Sequence, residues 1–151
     1  MSKSKKIDLA KLKSNPFIED FEIVVNKLSD EDEVQLERAS YTKLFRLMKN
    51  RDSVDRLSLN GKQLFLWMLY RLDYGNDWCY VDRSKYMEAH GISSVNTYKA
   101  GVVSLVDNGV IAYTTIKDVF YINPKIFFVG SRAKKFPDKV RVYGEKRKEE
   151  E

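Results

Sequence analysis

An α+β fold follows from three observations on residues 58–130. Apolar residues recur at helical spacing in two long stretches, 59–72 and 95–106. A turn at Gly91, followed by Ser93-Ser94, separates a small helix from the second of these. Two β-rich runs, 110–115 and 119–122, then close on Lys117-Asp118. Together they lay out a winged helix-turn-helix with an extra N-terminal helix and basic terminal arms.

The elements follow in order. Residues 1–15 form a basic arm, with Lys3, Lys5, Lys6, Lys11 and Lys13 against Asp8. Asn15-Pro16 breaks any helix there. Residues 16–57 form an extension, in which Phe17, Phe21, Ile23 and Val25 predict an extended segment docked on the body. Ser29 and the acids at 30–33 fit a solvated helix start. Val34, Tyr41, Leu44, Phe45 and Met48 predict a helix over about residues 32–50, serving either the core or a dimer.

Residues 58–130 are the winged-helix domain. Ser58-Leu59-Asn60-Gly61 opens a central core helix carrying Leu64, Phe65, Trp67, Met68, Leu69 and Leu72. Gly75-Asn76-Asp77 ends it, and residues 78–81 predict a short strand. Asp82 or Ser84 caps a small helix that turns Tyr86, Met87 and Ala89 inward. Ser93 or Ser94 caps the next, whose inward set is Val95, Tyr98, Val102, Leu105 and Val106. Asn108-Gly109 stops it. The hairpin follows, Asn123-Pro124 closes it, and Ile126, Phe127 and Phe128 are expected to tuck back onto the body. Residues 131–151 are a charged tail.

The chain has 151 residues, 43% hydrophobic and 13% aromatic, enough for one domain with a core. Its net charge of +5 is compatible with a polyanionic partner. Cys79 is the only cysteine, so no intrachain disulfide can form. The lysines after Met1 precede no apolar run, and the apolar stretch at 64–70 is too short for a bilayer; a cytoplasmic protein without membrane contact is expected.

The side of the second helix facing away from the inward set carries Ser93, Ser94, Asn96, Thr97, Lys99 and Ala100. Small hydroxyls and an amide near a helix start can reach phosphates or base edges. Asn pairs with adenine, and Lys with guanine or phosphate. Lys117 stands alone at the wing tip. Residues 58–130 hold seven bases against six acids, so phosphate attraction is expected from the arms, including Arg132, Lys134 and Lys135. Gly101, unusual inside a helix, permits close approach of another helix or of a sugar-phosphate backbone.

The catalytic vocabulary is thin. The lone His90 has no cysteine neighbour to share a zinc or form a Cys–His pair, and reads as a helix C-terminal residue. Cys79, between Trp78 and Tyr80, reads as a packed thiol. The glycines are scattered, so no phosphate loop forms. No enzyme activity, cofactor or metal is expected.

The run Asp118-Val119-Phe120-Tyr121-Ile122-Asn123-Pro124-Lys125-Ile126-Phe127-Phe128-Val129-Gly130-Ser131-Arg132 resembles the end of the winged-helix domain of RepL-type replication initiators from plasmids and phages. There a wing strand leads into Asn-Pro, an aromatic pair and Gly-x-Arg. Thr97-Tyr98-Lys99-Ala100, Leu105 and Gly109-Val110-Ile111 are similar to that family too, and the resemblance covers about residues 58–132. It implies binding of double-stranded DNA on a mobile element, in replication initiation or transcription regulation. The alternative is a virion or connector component, assembling as a homodimer or larger homo-oligomer or with replication or virion proteins.

Overall fold

The computed structural model describes residues 7–25, 42–45 and 48–142. The described elements are strands β1 (Ile23–Val25) and β2 (Thr42–Leu44), helices α1 (Met48–Asp55) and α2 (Leu59–Leu69), strand β3 (Trp78–Tyr80), and helices α3 (Arg83–Ala89) and α4 (Val95–Asp107). Strands β4 (Ile111–Tyr113), β5 (Val119–Ile122) and β6 (Phe127–Val129), helix α5 (Arg132–Lys135) and strand β7 (Val140–Val142) follow among the described residues. The architecture is mixed α+β.

Local chemistry sets the helix starts. Ser58 accepts from the Gly61 amide at 3.0 Å, Asp82 from the Lys85 amide at 3.2 Å, and Ser94 from the Asn96 amide at 3.2 Å. Each side chain satisfies one of the amides a first turn leaves without a partner. Between α3 and α4 the chain reverses at Gly91, whose φ of +62° is open to glycine at little cost. His90 is the C-terminal cap of α3, its ring Nδ1 2.9 Å from the Tyr86 carbonyl.

Helices α2 and α4 cross closely. A Cβ on Gly101 would stand 2.9 Å from the Asn60 carbonyl oxygen, and one on Gly61 2.7 Å from Ser104 Oγ. The close approach that Gly101 permits is therefore that of α2. The Ser58 amide donates to Ser104 Oγ at 2.9 Å across the same crossing. Leu64, Phe65 and Met68 meet Tyr98, Val102 and Leu105 in one buried cluster with Tyr86, Ile111, Phe120 and Ile122. Burying each side chain of this size contributes about 1.5–3 kcal/mol.

Strand β5 is the middle of a three-stranded antiparallel sheet, with Cys79↔Phe120 on one side and Tyr113↔Phe120 on the other. Phe120 and Ile122 join the helical core, whereas Tyr121 sends its hydroxyl to the Lys13 carbonyl at 2.5 Å. Residues 11–15 thus lie along the sheet. Buried Asn15 donates to the carbonyls of Ile122 at 2.8 Å and Asp77 at 3.0 Å, and Thr115 Oγ1 donates to the Lys11 carbonyl at 2.7 Å. The described part of the expected basic arm is docked.

The expected helix over 32–50 lies partly outside the described residues, and the acidic run at 30–33 lies wholly outside them. Where described, residues 42–44 are strand β2, antiparallel to β6 with Thr42↔Val129 and Leu44↔Phe127. The reason is tertiary. Strand β6 carries buried Phe127, Phe128 and Val129 tucked onto the body, and β2 supplies its backbone partner. The helix that exists there, α1, runs past residue 50 to Asp55. The core helix stops at Leu69, before the Gly75 turn. Ala89, at the last position of α3, and Val95, at the first of α4, are exposed rather than inward.

The segment from 131 is folded through residue 142. Phe136 packs edge-on to Phe21 at 5.4 Å, and β7 runs parallel to β1 with Ile23↔Val140. This is also where the extended segment expected around Phe21 and Ile23 docks.

Candidate nucleic-acid interface

Helix α4 separates its two sides cleanly. Tyr98, Val102 and Leu105 are buried, while Ser93, Ser94, Asn96, Lys99 and Ala100 are exposed and Thr97 is half-buried. The capped N-terminus thus presents hydroxyls, an amide and one cation to solvent, with the positive end of the helix dipole behind them.

The hairpin tip is tied to the same helix. Asp118 holds φ at +61°, a left-handed conformation that Asp tolerates better than most residues. Its carboxylate accepts from Arg83 at 2.9 Å and from the Tyr98 hydroxyl at 3.0 Å. Arg83 in turn lies 4.9 Å over the Tyr98 ring. Burial raises the Tyr98 hydroxyl above its ordinary pKa, and the nearby Asp118 charge adds to this. The phenol therefore stays a donor, and α3, α4 and the turn are locked by one polar cluster.

This lock shapes a cleft of about 480 Å³ between α4 and the hairpin. Lys99, Val102 and Val103 form one wall; Tyr113, Thr114, Thr115 and Lys117 form the other. Lys99 and Lys117, far apart in sequence, thus line one space. Tyr113 and Val103 are 57% and 46% exposed there, so both offer apolar surface to the cleft. Reading the sequence by type missed this cleft. Tyr113 reads as one more strand aromatic, and only its place on edge strand β4 leaves the ring in solvent.

The C-terminal cations divide. Lys134 and Lys135 are exposed on α5. Arg132, expected to hold phosphate, is instead half-buried. Its guanidinium sits 3.4 Å over the Phe45 ring and 5.5 Å from Phe21, and donates to the Pro124 carbonyl at 3.1 Å. Burial lowers its pKa to about 10, which leaves it a cation at neutral pH. An aromatic cradle and one carbonyl already engage the group.

Cys79 is buried, and burial pushes its thiol up to about 12, which keeps it protonated and unreactive at neutral pH. No group of three or more His, Cys, Asp or Glu among the described residues could hold a metal ion. No helix among them is long and apolar enough to cross a membrane. The chain matches no protein-family model, and comparison with curated proteins and with solved structures gave no match.

Proposed function

We propose that this chain is a non-enzymatic winged-helix protein that binds double-stranded DNA through α4. One observation carries the reading: opposite the core, Ser93, Ser94, Asn96, Lys99 and Ala100 at the start of α4 are exposed, while the other side is fixed against α2. The element order supports it, since α3, the Gly91 turn and α4 precede a hairpin on which β3 pairs. Ser94, Asn96, Thr97 and Lys99 would meet base edges and phosphates in the major groove, with Ser93 and Ala100 beside them and Lys117 on the flanking backbone. Lys134 and Lys135 would add phosphate contacts. The resemblance to RepL-type initiators favours a role in replication initiation or transcription regulation on a plasmid or phage.

The test is selection of bound sequences from a random duplex library with the full chain. A shared motif of a few base pairs is expected, bound with steep salt dependence. No enrichment over the input library overturns the reading.

A second reading, a structural or adaptor protein, is favoured by one apolar groove of about 380 Å³. Leu44, Leu66 and Tyr70 line it, 49%, 56% and 85% exposed, with Leu69, Leu72 and Val129. A homodimer or larger homo-oligomer would cover it. Size-exclusion chromatography with and without duplex separates the two: an oligomer indifferent to DNA favours the adaptor.

A further inference from the structure

The cleft between α4 and the hairpin combines features that duplex binding does not need. Its lining includes apolar or aromatic Val102, Val103, Tyr113 and Phe120 together with Lys99 and Lys117. The lining acid, Asp118, is already held by Arg83 and Tyr98, so the charge offered to a ligand is positive. Thr114 and Thr115 spend their hydroxyls on the Ile116, Val119 and Lys11 carbonyls. What remains is a flat apolar surface beside two ammonium groups, in a volume within the range of ligand pockets, about 300–1,000 Å³.

That chemistry matches an anion joined to an aromatic ring whose face is free. Bases inside a duplex hide their faces in the stack; an unpaired nucleotide offers one. We propose that the cleft takes one unpaired nucleotide of a single DNA strand, its base stacked on Tyr113 beside Val103 and its phosphate between Lys99 and Lys117. The proposal rests on the DNA-binding reading and extends it, since Lys99 serves both surfaces. Through it, α4 on a duplex and the hairpin on an adjoining open strand would recognise a junction between the two. The docked N-terminal segment brings Lys11 to the same tip, at Thr115.

The experiment is fluorescence anisotropy with the full chain at one salt concentration. Three probes are used: a blunt duplex, the same duplex with a single-stranded thymidine tail, and the tail alone. The tail should tighten binding about tenfold, the typical gain from stacking one base on an aromatic. In Tyr113→Ala the ratio of tailed to blunt affinity should fall to near one, and Tyr113→Trp should keep it. Tyr113 is largely exposed, so both variants are expected to fold, which thermal melts verify. A tail that adds nothing, or a gain that survives Tyr113→Ala, overturns the cleft and leaves duplex binding standing. Tyr113-dependent binding of the tail alone, with the duplex ignored, overturns duplex reading and upholds the cleft. Binding of no probe overturns both.

Discussion

The exposed side of α4 and the segment from Arg132 to Arg141 both carry cations, and they meet solvent in opposite ways. On α4, Lys99 projects among small polar residues with the helix N-terminus behind it. In the C-terminal segment, Arg132 lies on Phe45, Arg141 pairs with Glu22 at 2.7 Å, and Lys139 donates to the Glu19 carbonyl at 3.4 Å. Arg132, Lys139 and Arg141 fasten this segment to residues 19–22 and the aromatic cluster, while Lys134 and Lys135 are exposed. A guanidinium is weakly hydrated and stacks on rings, so it is buried more readily than an ammonium. Charge density along the sequence therefore does not tell which cations the fold buries and which it leaves exposed.

Three variants would break or sharpen that contrast. The largest effect is expected from Lys99→Glu, which places a like charge against phosphate and should weaken duplex binding about 100-fold, with the melting temperature unchanged. Equal affinity in a gel-shift titration would remove α4 from the interface. Next, Arg132→Ala should cost about 2 kcal/mol of stability through lost stacking and packing, lowering Tm by about 4–8 °C, with little change in DNA affinity. The reverse pattern, an unchanged melt and weaker binding, would return Arg132 to the DNA surface. The smallest effect belongs to Lys134→Ala combined with Lys135→Ala, which should reduce the slope of log K against log salt by about 1–2. An unaltered slope would mean that these lysines touch no phosphate.

Much of this arrangement was legible from local signals. Ser58, Asp82 and Ser94 cap where small polar residues precede apolar spacing, and Tyr98, Val102 and Leu105 point inward as their period requires. The hairpin followed from β-branched runs around Lys117-Asp118. What failed was non-local. Leu44, Phe45 and Met48 satisfy a helical period, and nothing near them announces the distant β6 partner that makes 42–44 a strand. The parallel pairing of β1 with β7 is equally remote. At the candidate site, the exposed side of α4 was legible because exposure follows helix period. The stacking of Arg132 on Phe45 was not, because a positive charge looks the same in sequence whether it faces water or an aromatic ring. Tyr113 was not, because edge position is a property of the sheet.

The union of β1 with β7 makes the two extremities of the described chain depend on each other. During synthesis, Ile23–Val25 has no strand partner until Val140–Val142 has been made. Phe21 waits with it, because its edge-on companion Phe136 arrives equally late. A premature stop anywhere between Gly130 and Phe136 would thus leave Phe21 without its aromatic companion and β1 without its strand partner.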